Sequence, residues 1–489
     1  MLTGPAVSTS HPLAASVGNN ILASGGSCID AAIALSAVLT VVEPWTSQLE
    51  SDAVVLYHNA VTRQNTAFIG RSEARPANCA NRRTPNQIAE SEKHVATRGL
   101  ISTWFASHKH QGTMPLSKLL QPAITLAEVG HIGTIGFEND ARAADGRSPS
   151  PSLRGTLGNR THGNIVAQPA LAKALKQIVK QGGTDLYDGA GTARMTTLGH
   201  QTEMYPAISG RYKEFLVSTQ PPPSYGAALL EALLIADGYP LYALSPVIRT
   251  HLLIECYKRS EEDCLKYLVD SLELYSPVSM LLDPHTIARR RAEIDPFFAG
   301  NQSQRVPPHP SDGACFVIVD SAGHATSWAQ SNHNPFALKC AALDNAELLN
   351  CSWSGISAAD YVPSCFDACT RPAIAMQTWF MSHPDGTLAY AGASPVGRLQ
   401  MQTDLQVIVD LASIHPDIPR PDQSIRWETL SQKDGSTSQI RLEQTSDITL
   451  RQGLTERGHV LHTVDGQNLG YGSHIVQTVS PWPAYHKAE

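Results

Sequence analysis

Apolar and polar positions along the chain follow two rhythms. Through the first 310 residues the helical one dominates. Residues 12–24, PLAASVGNNILAS, place Leu13, Val17 and Ile21 four apart on one face, and Gly25-Gly26 ends that helix. Ser27 reads as the cap of a second helix, CIDAAIALSAVLTVVE, which is apolar nearly all round and so predicted to be buried. AVVLYHN (53–59) reads as an interior strand. MPLSKLLQPAITLAEVGH (114–131) predicts a helix with one proline near its start and a kink at Pro122. EFLVST (214–219) is a strand stopped by QPPP, after which Ser224 caps the helix YGAALLEALLIADG.

Hairpins appear later. The run Phe316-Val317-Ile318-Val319 meets a turn at Asp320-Ser321-Ala322-Gly323 and returns through Ala325-Thr326-Ser327. Ahead of it lies PFFAGNQSQRVPPHPSDG, whose proline, glycine and polar content suits a connection. A second hairpin, AMQTWFMSHPDGTLAYAGAS, turns at Pro384-Asp385-Gly386, and LQMQTDLQVIVDLASI (399–414) closes with a long amphipathic helix. Helices first and hairpins later predict an α+β body with sheet between helical layers, not a doubly wound parallel sheet. No internal repeat interrupts this order.

Composition narrows the function classes. The 489 residues are 42% hydrophobic and 17% charged, an ordinary globular balance. A net charge of −7 without a basic run excludes an electrostatic footprint for nucleic acid or anionic membrane. No apolar stretch has bilayer-spanning length, and MLTGPAVSTSHPLAAS lacks the basic and apolar regions of a signal peptide. Nine cysteines carry no metal-type pairing, Cys365 and Cys369 included, and an odd number suits reduced thiols in the cytosol. The sequons at Asn159, Asn301 and Asn350 then read as chance matches. No metal or cofactor is expected; the expected partner is a small molecule, and self-association into a homo-oligomer stays open.

Several blocks together resemble the γ-glutamyltranspeptidase family: SHPLAASVGNNILASGGSCIDAAIALSAVLTVVEP (10–44), GTMPLSKLLQPAITLAEVGHI (112–132), QPPPSYGAALLEAL (220–233), RPAIAMQTWF (371–380) and GASPVGRLQMQTDLQVIVD (392–410). They stand in that family's order and spacing and cover nearly the whole chain. The resemblance implies the N-terminal-nucleophile hydrolase fold, a four-layer α-β-β-α sandwich. It also implies a single domain over 1–489, with a large-subunit-like segment 1–312 and a small-subunit-like segment 313–489. In that family the precursor cuts itself, and the freed N-terminal threonine attacks a γ-glutamyl amide with its own α-amino group as base. Some members are recruited into natural-product biosynthesis.

The site departs from this pattern. Anchoring VIVDSAGHA on the family's Val-Val-Asp run puts Gly313, Ala314 and Cys315 where Thr-Thr-His should stand, so the nucleophile position is a glycine. Strand residues two apart share a face, so Ser311, Gly313 and Cys315 point alike at steps of about 6.6 Å. Ser311 after shifted processing, or Cys315 acting internally, are the candidate substitutes. A turn serine and a core cysteine are the plainer readings. The family's carboxylate-binding arginine falls on Arg71 or Arg75 in GRSEARP, either of which also reads as a structural ion partner. Ile374 and Ala375 occupy the two serine positions, and LLNCSWSG carries Ser352 and Gly355 where the ammonium clamps belong. The oxyanion turn reads Ser394-Pro395-Val396-Gly397, and QLESDAV replaces an expected glycine-rich stretch after VVEPWTS.

These losses remove the nucleophile and the clamps for a zwitterion, whose unpaired burial costs several kcal/mol per ion. Trp328, Ser331, His333 and Trp353, with Ile374 and Ala375, instead suggest an apolar, aromatic pocket holding one imidazole. His333 is the candidate general acid or base. Read singly, the tryptophans are core filling and His333 a loop residue. The expectation is a repurposed, uncut enzyme acting on an apolar small molecule. The alternatives are a pseudoenzyme scaffold or binder, and residual γ-glutamyl transfer or amide hydrolysis through Ser311 or Cys315.

Overall fold

The computed structural model describes residues 4–49, 51–71, 99–134, 163–181, 202–268, 277–300, 313–332, 374–394, 397–413, 424–430, 439–444, 447–464 and 473–478. Its centre is two antiparallel sheets. The first has six strands in the order β1 (Ala6–Thr9), β9 (Gly313–Val319), β10 (Ala325–Ser331), β2 (Asp52–Asn59), β3 (Gln64–Gly70) and β6 (Glu203–Pro206). The second has five, in the order β16 (His474–Gln477), β12 (Leu388–Ala393), β11 (Trp379–Ser382), β8 (Phe215–Thr219) and β7 (Ile208–Tyr212). The pair β4 (His131–Ile132) and β5 (Ile165–Val166) and the small sheet of β13 (Trp427–Leu430), β14 (Gln439–Glu443) and β15 (Val460–Val464) lie outside this sandwich.

Side-chain alternation along each strand assigns the layers. On β9, Cys315, Val317 and Val319 join Val54, Leu56, Ile69, Phe380 and Ala391 in an apolar layer between the sheets. Ala314, Phe316 and Ile318 point the other way, into a core shared with α1 (Pro12–Ala23), α2 (Cys28–Val42), α3 (Gly99–Gln111), α4 (Leu116–Val129) and α5 (Pro169–Gln181). The outer face of the second sheet is covered by α6 (Gly226–Asp237), α7 (Pro246–Tyr267), α8 (Pro277–Leu281), α9 (Pro284–Ala292), α10 (Gly397–Ala412) and α11 (Ile448–Glu456). The architecture is thus the expected α-β-β-α sandwich, with the hairpin β9–β10 in the interior of the first sheet.

Local chemistry explains the joints. Ser27 and Asp30 form a reciprocal capping box at the start of α2, and every residue of that helix is buried. Asp320, in the β9–β10 turn, accepts from the N–H groups of Ala322 and His324 through Oδ1. Its Oδ2 accepts from Cys28 N at 3.1 Å, so one carboxylate fixes the turn and meets the positive end of α2. Gly70 and Gly99 touch backbone to backbone: a Cβ on Gly70 would fall 2.4 Å from Gly99 O and 1.9 Å from Thr103 Oγ1. Pattern reading of the chain passed over the edge strands β1, β6 and β7, whose burial is partial, the interior strand β3, and the sheet β13–β15.

Two outcomes are expected. Phe380, fully buried between the sheets, should cost about 3–5 kcal/mol when replaced by alanine, read as a lower urea midpoint at unchanged slope. Residues 313–489 expressed alone should show no cooperative transition, because β9 and β10 lose β1 and β2. An independently folding fragment would refute the reading of one domain.

Candidate functional site

Register places four residues on one rung at the end of the first sheet. Gly313 faces Ser331 on β10, Ser331 faces Asp52 on β2, and Arg71 follows Gly70, the partner of Ala53. By alternation all four belong to the face that looks toward the second sheet. Ser331, Asp52 and Arg71 are buried, and Gly313 is half-buried. Arg71 Nη2 pairs with Glu203 at 3.0 Å, so the guanidinium is an ion partner within the sheet margin.

The loop after α2 is anchored to the end of β10. Gln330 Nε2 donates to Ser47 Oγ at 2.7 Å, Ser51 Oγ donates to Asn332 Oδ1 at 2.7 Å, and Gln48 N donates to the same oxygen at 3.3 Å. Trp104 Nε1 donates to Ser36 Oγ behind them. Polar side chains therefore replace backbone flexibility with a fixed wall.

Cys315 does not suit a nucleophile. It is 1% exposed in the inter-sheet layer, and burial pushes its thiol well above the usual range, helped by the charges of Asp404 and Glu43. A nucleophilic cysteine needs the opposite shift. Trp328 is also corrected: it is fully buried and stacks on Phe316 at 5.7 Å in the helix-facing core, so strand alternation turns it away from the inter-sheet space. Ile374 leads toward β11 with its N–H on Pro223 O at 2.9 Å and its side chain between the sheets, whereas Ala375 turns into the outer helical core. His333, Ser311, Trp353, Val396 and Arg75 lie outside the described residues. Gly397 opens α10.

The second sheet contributes a group that the sequence reading missed. Asp404, on α10, is fully buried and accepts from Ser394 Oγ (2.7 Å) and Trp379 Nε1 (3.0 Å) on Oδ1, and from Gln377 Nε2 (2.9 Å) on Oδ2. Burial outweighs these three donors and pushes the carboxyl up to about 7. Gly392 makes this possible: a Cβ there would fall 2.0 Å from the Trp379 ring. Ser394 Oγ is also 2.8 Å from Ser473 Oγ. The signal was present in the sequence, since Asp404 interrupts the apolar stripe of Met401, Leu405 and Ile408.

Among the described residues one cluster has metal-type side chains: His251, Glu255 and His459, with ligand atoms within 4.8 Å of one another. It is closed by its own bonds. His251 Nδ1 and His459 Nε2 share a hydrogen bond at 2.8 Å, and Glu255 is held by Lys258 Nζ and Gly300 N. Buried Lys258 beside it opposes a further dication.

Comparison with known proteins extends the picture. The family description Gamma-glutamyltranspeptidase matches residues 14–486. The chain is 31% identical over 343 residues to the capsule biosynthesis protein CapD proenzyme of Bacillus anthracis, a match spanning 68% of this chain and 62% of CapD. It is 27% identical to the acylase ACY 1 proenzyme of Pseudomonas sp. (strain V22), over 93% of this chain and 86% of the relative. The cephalosporin acylase structure from Bacillus halodurans superposes with a TM-score of 0.82 at 23% identity, covering 97% of this chain and 91% of that one. With the sandwich, the order of its blocks and a match across almost its full length in agreement, this chain belongs to the gamma-glutamyltranspeptidase family.

Proposed function

We propose that this chain is a family member that has lost threonine chemistry and been repurposed, in a biosynthetic role, for a neutral, apolar small molecule. Catalysis would be by acid–base or templating action without a covalent acyl intermediate. The observation that carries this reading is Gly313 at the head of β9, on a rung whose other members are Ser331, Asp52 and Arg71. A glycine supplies no hydroxyl for attack. Three further features support it. Cys315 is held as a neutral thiol, Ile374 and Ala375 are buried and apolar where serines would grip a carboxylate, and Arg71 is already paired with Glu203.

His333 is the proposed acid–base group, with Ser394, Val396, Gly397, Ser331 and Trp353 bordering the substrate. A pseudoenzyme that only binds is the competing reading, and His333→Ala separates the two: conversion of a bound metabolite should disappear while binding remains. No helix among the described residues is long and apolar enough to cross a membrane. The buried thiols of Cys28, Cys256 and Cys315, none of them in a disulfide, suit the reducing cytosol, where we place the protein.

With glutathione or a chromogenic γ-glutamyl anilide the protein should release nothing above background, and Ser311→Ala and Cys315→Ala should change nothing. Turnover abolished by either substitution would restore a covalent hydrolase.

Self-cleavage needs a side-chain oxygen to attack the carbonyl before it, and Gly313 has none. The mature protein should therefore run as one polypeptide of 52.7 kDa on a denaturing gel. Two fragments, the smaller beginning at Ser311 or Gly313, would overturn the proposal.

A further inference from the structure

The middle of α10, packed on the outer face of the second sheet, carries a carboxyl whose setting exceeds what packing requires. Asp404 bonds to side chains from three separate segments or leads to them. Gln377 lies just after Ile374–Met376, Ser394 stands just after β12, and Ser394 passes the contact on to Ser473 just before β16. Gln400, one turn earlier on α10, holds the backbone of Gln377 from both sides. Its Oε1 accepts from Gln377 N at 3.2 Å and its Nε2 donates to Gln377 O at 2.6 Å. The backbone of Gln377 is thus held in place at the root of its amide side chain.

That amide is half used. Nε2 donates to Asp404 Oδ2, while Oε1 is buried without a partner. An amide offers a donor and an acceptor at nearly the same place, and a half-turn exchanges them. Facing a carboxylate, Gln377 donates. Facing a carboxylic acid, the turned amide accepts the acid's O–H through Oε1, and the orphaned oxygen is satisfied.

Resting on the reading that this end of the sandwich is the ligand site, we propose that Asp404 is its positioning residue. Gain or loss of one proton on Asp404 turns the Gln377 amide and sets, together, the placement of residues 374–377 and of Ser394 just after β12.

The surroundings isolate this event. From β11 and its approach Asp404 meets Trp379 and Gln377, from the end of β12 Ser394, and from α10 itself no charged partner among the described residues. From β9 it meets Cys315, whose thiol feels its charge and stays protonated, with Glu43 acting on the same thiol. The histidine that opens β16, His474, bonds to Ser8 instead and is held neutral by burial, down to about 4. The folded state therefore favours the neutral acid, present below the ordinary carboxylate range and lost as pH rises through about 7.

Hydrogen–deuterium exchange of the full chain between pH 5.5 and 8.5, corrected for intrinsic rates, tests this. Peptides covering 374–378 and 394–400 should lose protection together by about tenfold, the worth of one net hydrogen bond, with a midpoint near neutral. Asp404→Asn should abolish the transition at both segments. Ser394→Ala should abolish it at 394–400 and keep it at 374–378, which a merely structural carboxyl would not do. If Asp404→Asn does not fold, Gln377→Leu keeps the carboxyl and should flatten the 374–378 response. A flat wild-type profile, or a transition surviving in Asp404→Asn or Gln377→Leu, overturns the proposal. Binding of the apolar dye 8-anilinonaphthalene-1-sulfonate over the same range is read separately. Its complete absence would defeat the apolar pocket, and the exchange result would still decide Asp404.

Discussion

Strand β9 is hydrogen-bonded on both sides, to β1 and to β10, and β10 carries the pairing on to β2. Both faces of this ladder are buried, so a slip of one residue would send Phe316 and Trp328 into the inter-sheet layer and Cys315 into the helical core. The register is therefore fixed by packing, and with it the position of Gly313 at the rim. Asp320 locks the opposite end of the hairpin to the start of α2. A strand held this firmly at both ends delivers its first residue to a defined place, whatever side chain that residue carries. In this chain that first residue is a glycine.

The groups around the rim show how its supports are kept ordered. Ile374 and Ala375 are apolar and need no partner when buried. In the other direction, Asp404 introduces a buried carboxyl without a cation, tolerated because three donors meet it and because it can remain neutral. Beneath the rung Gln330 donates to Ser47 and Ser51 donates to Asn332. The result is a rim that presents Ser331, Asp52 and Arg71 toward the inter-sheet space, with Ile374 as its apolar side.

Much of the sandwich was legible in the sequence because its elements are strongly patterned. The all-round apolar character of α2, its Ser27 cap and the two hairpins each appear where periodicity puts them. What could not be read locally was which residues share a rung. Ser331, Asp52 and Arg71 come together through pairings between distant strands, and no spacing in the chain encodes them. Trp328 went astray for a related reason: its residue type suggested a pocket, whereas its phase on β10, opposite Phe316, commits it to the helical side. Asp404 was legible and overlooked, as a lone carboxylate on an apolar helical stripe.

The contact between Gly70 and Gly99 has a consequence for how this architecture can diverge. The end of β3 and the start of α3 meet through two backbones in direct touch, a closeness that only residues without a Cβ permit. Because that contact already brings the two ends together, the length of the span between them is weakly constrained. Doubling such a span adds only about 0.6 kcal/mol of closure entropy. Lineages could lengthen, shorten or exchange it while leaving the layers untouched, and Arg71 stands at its root, beside the rung. The hinge of glycines thus marks the place where new recognition surfaces can be trialled without renegotiating the core.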